Sequence, residues 1–410
     1  MTVSLASPPR DVVAADVAAR SVSGVTSPPR HAVAVLGHQA ERGPGRSPAQ
    51  PTVEAVSFDT AAPTRPAAPD TTGVEESARP SSGGPLVDGF GRVQRDLRVS
   101  VTDRCPLRCA YCVPAEGVPG LPAARLLTGD EIVRAVDVAT GLGVDRVRLT
   151  GGEPLLRGDL VEIVAGIAGL PQAPEVSLTT SGVGLARSAG ALARAGLRRV
   201  NVSLDSTDRD HYARLARRDR LDDVLAGLEA ARAAGLAPIK LNAVVLRGVN
   251  EDDVVDLLEY AGAHGFELRF IEHMPFAAGR RWRRDELVTA ADILGRLSAG
   301  HRLTPLARTG PAPATRWLVD GGPATIGLIA AVTRPFCGSC DRLRLTADGQ
   351  LRHCLFARTE TDLRAVLRSG GSDSAVAEAF RSCVAAKPRG HGIGQQGFTP
   401  PDRPMSAIGG

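Results

Sequence analysis

Two groups of three cysteines carry the most legible chemistry in this 410-residue chain. In CPLRCAYC, Cys105, Cys109 and Cys112 stand at i, i+4 and i+7. In FCGSCDRLRLTADGQLRHC, Cys337 and Cys340 are followed by Cys354. A disulfide joins two thiols and a structural zinc site takes four ligands, so three needs another reason. Iron–sulfur clusters are bound by cysteine sulfur, and three thiolates on a four-iron cube leave one iron open to a substrate or cofactor. Spacings of 4 and 7 also fit one face of a helix, but Arg104, Pro106 and Arg108 suit a loop leaving a strand end. The second group again lacks a fourth ligand. It points to a second cluster, with a zinc knuckle as the rival reading. Cys383 stands alone and reads as a small buried apolar residue.

Arg342 and Arg344 alternate along an extended run, so both side chains project to the same side. Guanidinium groups bind phosphate oxygens through paired hydrogen bonds, and two beside an open iron suggest an anionic substrate that also ligates metal. Arg98, Arg148 and Lys240, on three other strands, add positive charge at the same mouth. The net charge of +4 is too small and dispersed to argue for nucleic acid. No uninterrupted apolar run has the length of a membrane span. The N-terminus lacks the basic start, apolar core and cleavage site of a secretory signal. Tight cysteine groups fit a reducing compartment, so the expected location is the cytoplasm.

Elements must bring these residues together. With 43% hydrophobic and 23% charged residues, the chain suits one large globular domain or two smaller ones. Residues 1–84, rich in Pro, Ala, Ser, Gly and Arg and without sustained period, read as a disordered extension. Its Asp11, Asp16, Glu41, Glu54 and Asp59 count against an organellar transit peptide. Strands are predicted at 97–101, 146–149, 176–180, 199–205, 239–245 and 268–272, with helices between them. Thr128 and Glu131 form a capping box before one helix. Six β-then-α units predict an α/β fold over residues 85–280, a parallel sheet curled into an incomplete (β/α)6 barrel of TIM type. Chemistry in such barrels sits at the C-terminal strand ends, where the cysteine loop, TGGEP, TTSG and SLDS all lie. Residues 281–410 read as a smaller α+β extension that carries the second cysteine group, closes the open side and ends in a Gly- and Pro-rich tail.

CPLRCAYC, with Tyr111 before its third cysteine, resembles the C-x3-C-x2-C motif of the radical S-adenosylmethionine superfamily. TGGEP, residues 150–154, is similar to that superfamily's stretch beside the methionine amino group, where glycine permits close backbone approach. From residue 88 to the terminal IGG, the chain resembles one family within it, the GTP 3′,8-cyclases, also called molybdenum cofactor biosynthesis protein A. The carrying motifs are LRVSVTDRC, RLTGGEPLLR, VNVSLDS, VVLRGVN, RFIEHMP and PFCGSCDRLRLTADG.

The resemblance implies two four-iron clusters, one on Cys105, Cys109 and Cys112 and one on Cys337, Cys340 and Cys354. It implies S-adenosylmethionine against Tyr111, Gly152, Ser203 and Met274, and GTP against Arg98, Arg148, Thr179, Lys240, Arg342 and Arg344. The implied reaction starts with hydrogen abstraction at ribose C3′ by a 5′-deoxyadenosyl radical. It gives (8S)-3′,8-cyclo-7,8-dihydroguanosine 5′-triphosphate, the first intermediate of molybdenum cofactor synthesis, for cyclic pyranopterin monophosphate synthase. A homodimer, a flavodoxin- or ferredoxin-type electron donor, and entry of Gly409 and Gly410 into the barrel are further implications.

Two residues depart from the family pattern. Ser181 replaces the usual Asn after the paired threonines, and Asp341 replaces the Asn after Cys340, where a carboxylate beside Arg342 and Arg344 is expected either to weaken GTP binding or to pair with one of those two arginines. A peptide-modifying radical enzyme and a non-catalytic zinc module remain the alternatives; the arginine pair speaks against the first, and metal analysis separates the second.

Overall fold

The computed structural model describes residues 84–276 and 282–409. The extension expected over residues 1–84 therefore lies, except for Gly84, outside the described residues, and so does Gly410. The predicted alternation of strands and helices is present as β1 (Asp96–Ser100), α1 (Gly129–Gly141), β2 (Arg146–Thr150), α2 (Leu160–Ala168), β3 (Glu175–Thr180), α3 (Leu185–Arg194) and β4 (Arg199–Ser203). It continues with α4 (Arg209–Ala216), α5 (Leu221–Ala233), β5 (Ile239–Val245), α6 (Val254–His264) and β6 (Glu267–Glu272).

Local sequence explains these elements. Thr128 Oγ1 accepts the Glu131 amide at 3.1 Å while Glu131 Oε2 accepts the Thr128 amide at 2.8 Å, which starts α1 with a reciprocal cap. Ile132, Ala135, Val136 and Ala139 then recur at helical spacing and are fully buried. Strands alternate at period two. Leu97 and Val99 on β1, Val147 and Leu149 on β2, and Leu268 and Phe270 on β6 enter the hydrophobic core. Arg98, Arg148 and Arg269 occupy the intervening positions and project to the opposite face.

After β6 come α7 (Ala290–Ser298), β7 (Leu303–Leu306), β8 (Thr315–Val319), β9 (Thr325–Ile329), β10 (Arg342–Leu345), β11 (Gln350–Arg352) and β12 (Thr361–Asp362). Then follow α8 (Leu363–Arg368), α9 (Asp373–Ala385) and α10 (Met405–Ile408). These later strands belong to the same sheet as β1–β6, whose order is β12-β11-β10-β1-β2-β3-β4-β5-β6-β9-β8-β7. β10 pairs parallel with β1 and β9 pairs parallel with β6, so the C-terminal segment extends both edges. The architecture is α/β with a mostly parallel sheet. Cys383 on α9 is buried in the main core, as expected of a small apolar residue.

Candidate active site

Residues 101–112 leave β1 as an irregular loop rather than a helix. Its backbone is tied to two other segments. Gly152 N donates to Thr102 O at 2.8 Å and Glu153 N to Arg104 O at 2.7 Å; Arg108 N and Ala110 N donate to Ala216 O and Leu215 O at the end of α4. This docking requires glycine at 152, because a Cβ there would lie 2.3 Å from Arg104 O and 2.7 Å from Asp103 O. The close approach expected of this glycine is therefore made to the cysteine loop itself.

Cys105, Cys109 and Cys112 line a cavity of about 200 Å³ together with Tyr111, Gly152, Ser203 and Met274. All three thiols are free. Burial pushes Cys105 up to about 11 and, with Cys105 nearby, Cys112 up to about 12. Cys109 is raised well above the ordinary thiol value by burial and then by Asp205 and its two neighbouring cysteines. Such thiols are poor anions alone and need a cation, such as cluster iron, to hold them as thiolates.

Two buried carboxylates brace this cavity. Asp205, just past β4, accepts from Tyr111 Oη at 2.7 Å and from Val244 N at 2.8 Å, and burial raises its pKa to about 6. Glu153 accepts from Thr180 Oγ1 at 2.7 Å and from both the amide and hydroxyl of Ser181 at 2.6 Å. Burial raises the Glu153 pKa against these bonds. Ser181, the departure from the family pattern, thus anchors Glu153.

A second cavity of about 170 Å³ adjoins the first, with Thr179, Asn242, Ile271, Met274 and Met405 on both walls. Cys337, Cys340 and Cys354 line it, as do Arg98, Arg148, Arg342 and Arg344. Sheet register assembles the cations: Arg344 on β10, Arg98 on β1 and Arg148 on β2 are Cα partners in one row. Burial, then Arg148 and Arg342, brings the Arg98 pKa down to about 9; burial, with Arg199 and Arg342 adding to it, brings Arg148 to about 10. The buried Nε atoms of Arg98, Arg148 and Arg342 have no hydrogen-bond partner. Two of these unsatisfied donors, on Arg98 and Arg148, belong to the row and the third, on Arg342, stands two residues away along β10, level with Asp96, while Arg344 donates to Gly409 O. Free donors among like charges suit a multiply charged anion. Asp96 is the acid within this cluster; burial opposes its ionisation, but Arg148, Arg98 and Arg342 outweigh burial and lower its pKa.

The second cysteines differ among themselves. Burial raises Cys337 and Cys354, whereas at Cys340 the charges of Lys387 and Arg342 overcome burial and lower the pKa. Among the described residues, no group of three or more His, Cys, Asp or Glu side chains closes around a single ion. Each cysteine set lines a cavity of its own.

Two sequence expectations meet different surroundings. Lys240 is not on the wall of either cavity; its Nζ pairs with Glu267 Oε2 at 2.8 Å, because β5 and β6 place the two residues opposite each other. Asp341 pairs with neither Arg342 nor Arg344. It lies one residue before the row Arg342, Asp96, Arg146, and Arg146 takes its carboxylate. Residues that motif reading left without roles include Asp205, Glu153, Arg269 and Phe336, whose ring lies 4.9 Å from the Arg342 guanidinium. Arg269 was within reach of sequence reasoning, since it alternates with core residues Leu268 and Phe270. A larger groove of about 680 Å³ lies between Phe276, Trp282 and the tail, but contains no cysteine.

Known proteins match this chain in sequence over most of the described residues. Residues 99–261 match the radical SAM superfamily model, and residues 266–393 match the Molybdenum Cofactor Synthesis C model. GTP 3′,8-cyclase 2 of Mycobacterium tuberculosis is 56% identical over 346 residues, covering 83% of this chain and 96% of that protein. GTP 3′,8-cyclase of Streptomyces coelicolor is 56% identical over 328 residues, covering 79% of this chain and 96% of the relative. Among solved structures, Streptococcus suis SuiB matches with a TM-score of 0.49 at 13% identity, over 72% of this chain and 69% of that one. At the identity and coverage of the curated relatives, this chain belongs to the GTP 3′,8-cyclase family.

Proposed function

We infer that this protein is a radical S-adenosylmethionine enzyme that converts GTP to (8S)-3′,8-cyclo-7,8-dihydroguanosine 5′-triphosphate, the first step of molybdenum cofactor synthesis. The observation that carries this reading is the shared wall between the cavity of Cys105, Cys109 and Cys112 and the cavity containing the arginine row. A four-iron cluster and S-adenosylmethionine, when bound, supply a 5′-deoxyadenosyl radical that removes the C3′ hydrogen of GTP.

The chain's own residues bind and orient. Cys105, Cys109 and Cys112 hold the cluster, and Tyr111, Gly152, Ser203 and Met274 receive S-adenosylmethionine. Arg98, Arg148, Arg342 and Arg344 hold GTP, and Thr179 on the common wall fixes its position between the cavities. Proximity of C3′ to the radical source decides which hydrogen is lost. Lys240 acts on GTP only if its Glu267 pair opens. Met405 and Ser406 cover the first cavity, and Arg403, bonded to Asp348 and Glu360, secures the tail that carries them.

Cys337, Cys340 and Cys354 are read as ligands of a second four-iron cluster, supported by their free thiols and common cavity. Residues 85–280 are read as an incomplete (β/α)6 barrel and 281–410 as the second-cluster and GTP-binding region. A homodimer, a flavodoxin- or ferredoxin-type donor, a cytoplasmic location and transfer of product to cyclic pyranopterin monophosphate synthase complete the proposal. Among the described residues, no helix is long and apolar enough to cross a membrane.

The test is anaerobic incubation of the reconstituted enzyme with S-adenosylmethionine, dithionite and GTP. A GTP-derived cyclic product with 5′-deoxyadenosine is expected. Arg98→Gln should weaken GTP binding by about tenfold or more, the worth of one charge-assisted contact. 5′-Deoxyadenosine without a GTP product would refute the substrate assignment.

A further inference from the structure

Lys387 follows α9 and is 4% exposed, and none of the groups its Nζ meets is a carboxylate. Its Nζ instead meets Gln94 Oε1 at 2.5 Å, the Arg342 carbonyl oxygen at 2.7 Å and Cys340 Sγ at 3.7 Å. The Gln94 amide is oriented by its other end, because Nε2 donates to Asp88 Oδ2 at 3.2 Å and to Arg92 O at 2.8 Å. Nζ therefore faces three acceptors and no donor. A neutral amine has two hydrogens and an ammonium three, so the site fits the cation. A buried cation needs compensating negative charge; Asp88 stands behind the Gln94 amide and Cys354 is nearby, but the thiol within reach of Nζ itself is Cys340.

We propose that Lys387 is a positioning residue of the second iron–sulfur cluster, donating a charge-assisted hydrogen bond to the Cys340 sulfur and thereby making that cluster easier to reduce. This rests on the reading that Cys337, Cys340 and Cys354 bind a cluster. Hydrogen bonds to cluster sulfurs and nearby charge set reduction potential, and partners of ligands also orient them. Reduction adds one electron to the cluster and breaks no bond, so a fixed positive charge favours the reduced, more negative state. The same ammonium holds the Arg342 carbonyl, which links cluster poise to the strand that carries Arg342 and Arg344.

The experiment is an EPR-monitored redox titration of the full-length reconstituted enzyme, wild type against Lys387→Met, Lys387→Gln and Lys387→Arg, with iron counted in each. At the wild-type midpoint, Lys387→Met should show a reduced-to-oxidised ratio about tenfold lower for the second cluster, 59 mV for one electron. Lys387→Arg should stay near wild type, and the first cluster should not move. If the methionine variant loses iron, the glutamine variant, which keeps a neutral donor, is expected to show the same downward shift. Wild-type midpoints in both neutral variants, with about eight irons retained, would overturn the inference alone. About four irons in the wild type would overturn the second-cluster reading and this inference with it.

Discussion

Gly152→Ala adds one methyl group where the cysteine loop docks, and the consequence follows from three distances. The new Cβ would lie 2.3 Å from Arg104 O, 2.6 Å from Arg104 C and 2.7 Å from Asp103 O. Carbon and oxygen normally approach to about 3.3 Å, so about 1 Å of separation must be found. No rotamer can provide it, since all three atoms are backbone. The loop must move, at the expense of the Glu153 N to Arg104 O bond that now measures 2.7 Å. Overpacking of about 1–3 kcal/mol and a lost hydrogen bond of about 1 kcal/mol give about 2–4 kcal/mol of destabilisation. Arg104 directly precedes Cys105, so the first cluster should lose occupancy as well. Anaerobic urea unfolding measures the first effect, and iron and sulfide analysis the second. Gly295→Ala is the control: it sits on the exposed side of α7 with nothing within 4 Å, and should gain up to about 1 kcal/mol from helix propensity. Both substitutions remove the same backbone freedom from the unfolded chain, so their difference isolates the contact. A Gly152→Ala enzyme with wild-type unfolding and full iron would refute the docking argument.

Ser181→Ala removes a hydroxyl donor from the buried Glu153 carboxylate and should cost about 1–3 kcal/mol in urea unfolding, while Ser181→Asn, which keeps a donor, should recover part of it. Equal losses in both would dismiss the donor role. Asp341→Asn should lower stability by about 1 kcal/mol through its pair with half-exposed Arg146, without weakening GTP binding in calorimetry. Weaker binding would place Asp341 in the path of the substrate after all. Asp348 is held below its ordinary pKa of 3.8 because, although burial opposes ionisation, bonds from Arg403 and Thr346 outweigh it. A depressed carboxylate contributes stability in full above its unfolded pKa and loses it as pH falls through the folded one. The stability advantage of wild type over Arg403→Ala should therefore be constant above about pH 5 and shrink below about pH 4. An advantage independent of pH would show that the tail is held by something else.

What was legible in the sequence is what local pattern encodes. The strand predicted at 239–245 is β5 to the residue, and Thr128 with Glu131 marks the start of α1. The predicted strand over 199–205 overruns β4, which ends at Ser203, because Asp205 leaves the ladder to receive Tyr111 and Val244. Pairing between distant segments leaves no such trace. β1 and β10 are separated by more than half the chain, and nothing in LRVSV or RLRL states that Arg98 and Arg344 stand level. Lys240 shows the same limit from the other side. Its strand and face were readable, but its cross-strand neighbour Glu267, which takes its charge, was set by register. Motif recognition named six cysteines and took in the TGGEP and SLDS segments that contain Glu153 and Asp205, but the bonds those two carboxylates make to Ser181 and Tyr111 depend on distant pairing that the motifs do not encode.

The arginine row shows how one alternating pattern serves opposite ends on its two faces. Leu97, Val99, Val147, Leu149, Leu343 and Leu345 are at most 1% exposed, and each buried side chain contributes about 1.5–3 kcal/mol to the core. Between them stand Arg98, Arg148 and Arg344, with the first flanked in register by the other two. Like charges about 5 Å apart, the spacing of neighbouring strands, repel by about 3 kcal/mol at an effective dielectric of about 20. The apolar face can offset that repulsion, but it gives no reason for cations on the inner face, where neutral side chains would leave the empty protein more stable. The reason must lie in the occupied state. On the proposed assignment of GTP to this row, a triphosphate would supply several negative charges to donors already held in place, so the mutual repulsion of the arginines would become affinity, and binding would in turn stabilise the fold.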